Sequence, residues 1–317
     1  MKYNRCGGSG LQLPALSLGL MTVFKGEFET ARAIIRCAFD AGVTHFDLAH
    51  GYGGRDKIPA EEYFGRILKQ DLAGRRDELI ISSKAADGSR KHLVSKLDVS
   101  LRRLGVDYVD VFYHHVPDPD TPIEETTAAL DHLVRQGKAL YIGLSNYTVE
   151  QTEQAVRSLA QLGARCVVHQ PNYNLLARWI ENGLLELLQR KGIGCVAFNA
   201  LASGLLTGKE PAEKSRAKGY LDAIQSSLKA GEDVFAFLKS DDIVGDLARR
   251  LEDLRHIAKR RGQTLAQLSL AWVLRQPAVT TALFGASSLE QLDENLAALN
   301  HLSFSPEELS EIGCLIS

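Results

Sequence analysis

The feature of this sequence that most limits its fold is a regular alternation of strand-like and helix-like segments along nearly the whole chain. Short apolar runs are followed by longer stretches whose apolar residues recur at helical spacing. Eight of the short runs are predicted strands, at residues 16–18, 44–47, 79–83, 108–113, 140–144, 166–169, 194–198 and 281–284. Such alternation favours a parallel sheet built from βα units.

Ten predicted helices follow or separate these strands, at residues 29–40, 61–68, 90–104, 122–136, 149–162, 183–191, 246–260, 265–274, 289–299 and 306–315. Eight βα units without a linker favour a closed barrel over a doubly wound sheet. We therefore predict a single α/β domain over residues 1–317. It is a (β/α)8 TIM barrel with an N-terminal β-hairpin, turning at residues 6–10, and extra C-terminal helices.

The alternation is interrupted once, over residues 201–239, where a glycine-rich turn precedes a charged stretch without clear periodicity. A connection of that length inside a compact domain is usually either functional or poorly ordered. Because this segment follows the seventh predicted strand, we interpret it as a long loop at the functional end of the barrel or as a poorly ordered insert.

The composition argues against several classes of function. The formal net charge is −2 and no long run of Lys or Arg occurs, so there is no electrostatic basis for binding nucleic acid or an anionic membrane. No run of about 18 apolar residues occurs, and the polar start leads into no signal-like core, so we expect a cytoplasmic protein. The five cysteines are scattered and never form CxxC, which indicates reduced thiols. We expect a small-molecule partner and no metal.

Polar residues collect where the predicted strands give way to loops, which is the end of a barrel that carries active sites. They are Asp47, Tyr52, Lys84, His115, Ser145, Asn146 and Gln170. Each has an ordinary alternative role, since Asp47 could cap a turn, Tyr52 could pack on a rim and Lys84 could be solvated. Taken together, they are better explained as one site.

The residue types in this set suggest a reaction. A tyrosine, with a pKa near 10, is a poor acid at neutral pH, but an adjacent ammonium favours its phenolate. We expect Lys84 to supply that ammonium and Asp47 to hold it charged. A neutral His115 would then donate a hydrogen bond to the substrate oxygen. A general acid without a nucleophile–base pair predicts carbonyl reduction by hydride from a cofactor.

Seven stretches of the sequence resemble the aldo-keto reductases and together span nearly the whole chain, at residues 46–53, 81–84, 112–115, 143–147, 169–174, 201–209 and 285–288. The resemblance implies that Tyr52 is the acid, Asp47 and Lys84 its modulators, and His115 the orienting donor. The chain is most similar to the branch that contains bacterial L-glyceraldehyde 3-phosphate reductase and the potassium-channel β subunits. Relatives in that branch assemble as tetramers or octamers, so a homo-tetramer or homo-octamer is expected.

The resemblance also implies an NADPH cofactor, with NADH not excluded. The residues implied to bind it are Ser145, Asn146, Gln170, Phe198, Leu201, Ser203, Gly204, Leu206, Lys209, Arg216, Gly285, Ser287, Gln291, Glu294 and Asn295. The first three would hold the carboxamide and Phe198 would stack on the nicotinamide. The loop at residues 202–209 offers backbone donors for phosphate, which Lys209 and Arg216 are implied to contact. The residues implied to contact the adenosine end are Ser287, Gln291, Glu294 and Asn295. A GxGxxA pattern at residues 192–197 precedes a predicted strand instead of following one, so it is not a Rossmann site.

Three features depart from the family pattern. Ser288 stands where many relatives have an arginine, which weakens the case for NADPH over NADH. Met21 replaces a common tryptophan, and only residues 85–88 separate Lys84 from the next helix. Both of these changes predict a wider pocket with weak preference among small aldehydes.

Other functions remain open at this stage. The leading alternative is an NADPH-binding regulatory subunit, like the channel β subunits, with slow turnover. A barrel aldolase with Lys84 as a Schiff base is less consistent with Asp47 beside that lysine. A metallohydrolase lacks a convincing set of metal ligands.

Overall fold

Eight parallel strands close into a barrel in the order β10-β3-β4-β5-β6-β7-β8-β9. The computed structural model describes residues 1–54, 57–208 and 243–316, and the fold is given for these ranges. The barrel strands are β3 Leu16–Gly19, β4 His45–Asp47, β5 Ile80–Ala85, β6 Val109–His114, β7 Ala139–Ser145, β8 Cys166–Gln170, β9 Gly194–Ala197 and β10 Val279–Phe284. An antiparallel hairpin precedes them, formed by β1 Tyr3–Arg5 and β2 Gln12–Pro14.

The helices pack around the barrel and connect its strands. They are α1 Leu20–Val23, α2 Phe28–Asp40, α3 Ala60–Asp71, α4 Arg90–Leu104, α5 Ile123–Arg135, α6 Val149–Gln161, α7 Leu184–Lys191, α8 Ile243–Arg260, α9 Leu265–Leu274, α10 Leu289–Leu296 and α11 Pro306–Ile316. The predicted (β/α)8 barrel with its hairpin and additional helices is confirmed. Helix α1 was not predicted, and the predicted helix 289–299 is observed as α10 followed by the 3-10 helix Ala297–Asn300.

The strand and helix patterns reflect two kinds of burial. All six residues of β6 are buried, as expected for a parallel strand covered on both faces. In contrast, α4 buries only one stripe, which includes Leu93, Leu97 and Leu104. Gly105 ends this helix with φ of 67°, a left-handed conformation that glycine adopts without a steric penalty.

The hairpin closes the end of the barrel at which the strands begin. Gly8 N donates to Gly192 O at 2.8 Å, just before β9. A Cβ at Gly7 would lie 2.1 Å from the same carbonyl oxygen, so only glycine fits there. Cys6 and Leu13 pack with Tyr113 in the barrel interior. The carboxyl ends of the strands are therefore the open end of the barrel.

Two further findings bear on the predictions from composition. All five cysteines are free thiols, of which Cys6, Cys166 and Cys195 are buried. In the part of the chain that the structure describes, none of the helices combines the length and the apolar character needed to cross a bilayer.

Candidate active site

Asp47 and Lys84 meet at the open end of the barrel, where β4 and β5 lie side by side. The Lys84 Nζ atom donates to Asp47 Oδ2 at 2.5 Å and to Leu48 O at 2.6 Å. Asp47 Oδ1 accepts from Ser82 Oγ at 2.7 Å and from Gln170 Nε2 at 3.0 Å. Both charged residues are buried, with Asp47 2% and Lys84 1% exposed. The carboxylate thus has three donors and no access to bulk water.

Tyr52 lies on the loop after β4, which turns back over this pair. The turn is formed by Tyr52 N donating to Ala49 O at 3.0 Å. Lys25 Nζ holds the far side of the loop by donating to Gly53 O at 2.6 Å. The Lys84 Nζ atom lies 5.3 Å from the centre of the Tyr52 ring. The structure therefore brings the predicted acid beside the predicted ammonium.

The fourth predicted residue, His115, lies beside the Tyr52 ring. The two ring centres are 6.1 Å apart, with an angle of 74° between the ring planes. Burial lowers the pKa of His115 to about 4, and the Lys84 charge acts in the same direction. The imidazole is therefore neutral near pH 7, as an oxygen-stabilising donor requires. His114 faces away, between Tyr147 Oη at 2.5 Å and Ala86 O at 3.1 Å.

The charges of the buried pair stabilise each other. Burial alone would raise the pKa of Asp47, but the Lys84 ammonium and the hydrogen bonds outweigh burial and hold that pKa below its usual range. Burial likewise opposes the charged form of Lys84, but Asp47 raises the pKa of the lysine above its usual range. Lys84 is thus a protonated ammonium, which argues against a Schiff-base nucleophile.

The acidity of Tyr52 differs from the simple expectation. Lys84 lowers the pKa of Tyr52, as predicted, but burial raises it by more, so the net pKa lies above its ordinary value. The sequence could not show this because burial depends on the folded loop. The consequence is a phenol that keeps its proton near pH 7, which is the form a general acid must have.

The three residues implied to hold a carboxamide lie together next to this group. Ser145 Oγ donates to Gln170 O at 2.9 Å, and Asn146 Nδ2 donates to His115 O at 3.0 Å. Asn146 has φ of 61°, a strained conformation often found at binding sites. The same Nδ2 atom donates to Ser145 Oγ at 3.1 Å, which fixes the position of the Asn146 amide. This chemistry fits the carboxamide of a nicotinamide.

The segment after β9 is built around an asparagine that sequence reasoning missed. Asn199 has φ of 58°, and its Oδ1 atom accepts from Ser203 N at 2.7 Å. Asn tolerates the left-handed conformation, and an Asn directly after a predicted strand is the signal that could have identified it. Phe198, the predicted stacking residue, is half-buried at the start of this segment. Asn199 therefore shapes the loop that follows Phe198.

The loop residues implied to meet the cofactor are mostly engaged with each other. Gly204 N and Leu206 N both donate to Leu201 O, at 2.9 and 3.2 Å. The Leu206 side chain is fully buried, whereas Leu201, Ser203 and Gly204 are half-buried. Free backbone donors were expected in this loop, and these amides do not provide them. The predicted phosphate ligands Lys209 and Arg216 lie outside the described residues.

The residues implied at the adenosine end cluster at the start of α10. Ser287 N and Ser287 Oγ both donate to Gln291 Oε1 at 2.9 Å. Asn295 Nδ2 donates to Gly285 O at 3.3 Å, and Glu294 is half-buried on the same helix. A Cβ at Gly285 would lie 2.4 Å from Thr22 Oγ1, so close packing requires this glycine. The structure thus gathers the four residues implied at the adenosine end together with Gly285. No metal-binding group of His, Cys, Asp or Glu occurs among the residues that the structure describes.

A family model described as Aldo/keto reductase family matches residues 15–316. The chain belongs to the aldo/keto reductase family. It is 47% identical over 327 residues to the "L-glyceraldehyde 3-phosphate reductase" of Escherichia coli (strain K12), with 98% of this chain and 91% of the relative covered. The protein of the same name from E. coli O157:H7 is 46% identical over 333 residues, with the same coverage.

A second kind of relative is more distant. The chain is 37% identical over 314 residues to a "Probable voltage-gated potassium channel subunit beta" of Arabidopsis thaliana, with 95% of this chain and 92% of the relative covered. The predicted family and branch are therefore confirmed. As an aldo/keto reductase, this protein is an oxidoreductase of a family that generally uses NAD(P)H.

Proposed function

We propose that this aldo/keto reductase uses NADPH to reduce small aldehydes, such as L-glyceraldehyde 3-phosphate or methylglyoxal, to alcohols, with Tyr52 as the general acid. The observation that carries the proposal is the position of the Tyr52 ring 5.3 Å from the Lys84 ammonium, itself paired with Asp47. Two relatives at 46–47% identity are named for reduction of an aldehyde phosphate. NADH remains an alternative cofactor because Ser288 carries no positive charge.

In this proposal the residues of the chain place and protonate the substrate. His115, neutral and edge-on to Tyr52, donates to the carbonyl oxygen and polarises it. A nicotinamide held through its carboxamide by Ser145, Asn146 and Gln170 would supply the hydride for the carbonyl carbon. Tyr52 Oη gives its proton to the oxygen, and the Lys84 charge stabilises the phenolate that is left. Asp47 keeps Lys84 charged throughout.

We further propose a pocket that discriminates weakly among short aldehydes. Met21 and Val116 near the open end of the barrel are 45% and 38% exposed. The short loop after β5 is tied to the loop after β6 and to α5, because Gly88 N donates to Asp118 Oδ2 at 2.9 Å and Thr126 Oγ1 donates to Gly88 O at 3.0 Å. A single strongly preferred short aldehyde in steady-state kinetics would contradict this part.

The remaining predictions extend the same proposal. We propose that residues 1–317 form one domain, since the family match runs from residue 15 to residue 316. We also propose a cytoplasmic protein that assembles as a homo-tetramer or homo-octamer and binds neither nucleic acid nor membrane. Light scattering and gel filtration would test the assembly.

The activity is tested by measuring the rate of NADPH oxidation with glyceraldehyde 3-phosphate and with methylglyoxal as substrates. The same rates are measured in parallel with NADH. Tyr52→Phe removes the acidic proton and keeps the ring, so we expect kcat to fall by about 10²- to 10⁴-fold. Fluorescence titration should show unchanged cofactor affinity. The matched control is Tyr3→Phe, whose hydroxyl donates to Gly42 O at 2.8 Å at the opposite end of the barrel.

The second candidate is a cofactor-binding regulatory subunit with slow turnover. The 37% identity to a probable channel β subunit is the observation in its favour. This candidate predicts tight NADPH binding and little oxidation of NADPH on addition of an aldehyde. It also predicts that the wild type and Tyr52→Phe oxidise NADPH at the same low rate. That result would replace the reductase proposal.

A further inference from the structure

A line of hydrogen-bonded side chains crosses the barrel interior beneath Asp47. Thr281 Oγ1 lies 2.7 Å from Ser17 Oγ, and Ser17 Oγ lies 2.9 Å from His45 Nδ1. His45 Nε2 lies 3.0 Å from Ser82 Oγ, which donates to Asp47 Oδ1 at 2.7 Å. We call these five residues the His45 chain. Asp47 is 2% exposed and the other four are 0% exposed, so bulk solvent does not reach their hydrogen-bonding groups.

The direction of the hydrogen bonds follows from Asp47. Its pKa lies below the usual range because Lys84 and the hydrogen bonds outweigh burial, so the carboxylate can only accept. Ser82 must therefore donate to it. A hydroxyl has one proton, so the contact between Ser82 and His45 requires His45 to donate from Nε2. The carboxylate thus fixes the tautomer of an imidazole two residues earlier on β4.

The remaining hydrogen bonds of the His45 chain, from Thr281 to His45, run in the same direction. Burial lowers the pKa of His45 to about 4. Of the two charged groups that act on the imidazole, Asp47 raises this pKa and Lys84 lowers it. A neutral His45 with its proton on Nε2 accepts at Nδ1, so Ser17 donates to it. Thr281 Oγ1 has one proton and two acceptors within reach, Ser17 Oγ at 2.7 Å and Ala15 O at 3.3 Å. Because the Ser17 proton is directed at His45, Thr281 donates to Ser17, the nearer of the two. All four protons are directed toward Asp47.

We propose that His45 is a positioning residue for the reduction, acting through Ser82 to orient Asp47 and so the Lys84 ammonium beside Tyr52. This inference rests on the proposed function of Tyr52 and Lys84. If His45 only filled space in the core, an apolar residue would serve equally well at this position. Leu at position 45 would fill similar space but would remove the acceptor of the Ser17 hydroxyl and the donor to the Ser82 hydroxyl in a site closed to water.

The first test determines the tautomer of His45 and does not depend on enzymatic activity. Proton–nitrogen NMR of histidine-labelled protein, with His45 assigned by its loss in His45→Gln, should show the proton on Nε2. The signal should not titrate between about pH 5 and pH 9, whereas an ordinary histidine titrates near 6.5. A proton on Nδ1, or titration near the ordinary pKa, would overturn the proposal.

The second test compares variants in the reductase assay. Ser82→Ala should lower kcat by about tenfold to a hundredfold, the factor expected from losing one hydrogen bond to a charged group. His45→Leu removes a bond between neutral groups and should lower kcat by about twofold to tenfold. The pH profile of kcat should also narrow, because Asp47 would protonate more easily and Lys84 would lose its proton more easily. His45→Gln can still donate to Ser82 and should recover most of kcat and the wild-type profile.

Two matched controls separate this role from simple loss of packing. His169→Leu removes a buried imidazole that has no hydrogen-bond partner in the described ranges. Ser269→Ala removes a buried hydroxyl that donates to Leu265 O within α9. Both should keep the wild-type kcat and pH profile. If His45→Leu behaves like His169→Leu, the proposal is wrong. If the wild type reduces no aldehyde, the proposed function fails, and the NMR result still decides the direction of the chain.

Discussion

Lys84 donates to Asp47 across 2.5 Å in a setting where neither side chain is more than 3% exposed. The two residues are 37 positions apart, yet they lie on neighbouring strands of the barrel. A buried ion pair contributes little net stability compared with an apolar pair, but removing one partner leaves an uncompensated charge. The pair is therefore a structural constraint as well as the proposed modulator of Tyr52.

This constraint can be measured with a double-mutant cycle. Lys84→Met should lower the free energy of unfolding by about 3–5 kcal/mol, because the Asp47 carboxylate is left unpaired. Asp47→Asn should lower the free energy of unfolding by a similar amount, because the buried Lys84 ammonium is left without a counter-charge. The double variant should lose less than either single variant in urea unfolding. The control is Glu62→Gln with Arg66→Met, an exposed pair on α3 whose coupling should stay below about 1 kcal/mol. Additive losses at Lys84 and Asp47 would contradict the expectation.

Buried histidines should make the protein sensitive to acid. His45, His114 and His169 are each 0% exposed. Burial lowers their pKa to about 4, about 4 and about 3. The unfolded chain binds protons below about 6.5, where the folded chain does not, so stability is fully present above that pH and lost as the pH falls. At pH 5 the loss is about 2 kcal/mol for each histidine, or about 6 kcal/mol for all three.

Urea unfolding at pH 7 and pH 5 measures this loss. His169→Leu should remove about 2 kcal/mol of it, because this variant lacks one of the buried imidazoles that bind a proton only after unfolding. An equal dependence on pH in the variant and the wild type would show that His169 does not titrate as the structure indicates.

Gly143 on β7 should not tolerate a side chain. A Cβ there would lie 2.3 Å from Tyr113 Cδ1, and the Tyr113 ring is itself 0% exposed. Since the ring cannot move into solvent, Gly143→Ala should destabilise the protein by about 1–3 kcal/mol. The control is Gly313→Ala in α11, where a Cβ meets nothing within 4 Å. That change should stabilise by about 0.5–1 kcal/mol, and thermal unfolding that ranks the two variants the other way would refute the argument.

The barrel could be predicted from the sequence because each parallel strand is an apolar run and each helix an apolar stripe. Those patterns are local, and both are set by which faces are buried. The same reasoning placed Asp47 and Lys84 at strand ends, and the structure brings them together. Helix α1, only four residues long, has no periodic pattern to detect.

Features that depend on distant contacts could not be predicted. Ser17 and Thr281 are 264 residues apart in the sequence and 2.7 Å apart in the barrel. The raised pKa of Tyr52 likewise arises from the folded surroundings. Sequence reasoning finds which residue types are present at a strand end. It does not find how deeply they are buried, and burial sets their acidity.

Cofactor preference provides the last prediction, because Ser288 begins α10 where the adenosine end is proposed to bind. Its Oγ accepts from Gln291 N at 3.3 Å, so it caps the helix. Ser288→Arg would place a guanidinium where it can grip a 2'-phosphate through two hydrogen bonds. We expect the preference for NADPH over NADH, measured by fluorescence titration, to rise by about tenfold to a hundredfold.

Loss of the cap should cost about 1 kcal/mol of stability, which must be separated from the effect on binding. Ser305→Arg removes an equivalent contact, because Glu308 N donates to Ser305 Oγ at 3.2 Å at the start of α11. That control should lose similar stability and keep the wild-type cofactor preference. If both arginine variants shift NADPH and NADH affinity equally, the 2'-phosphate does not lie at Ser288, because a charge aimed at it must distinguish the two cofactors.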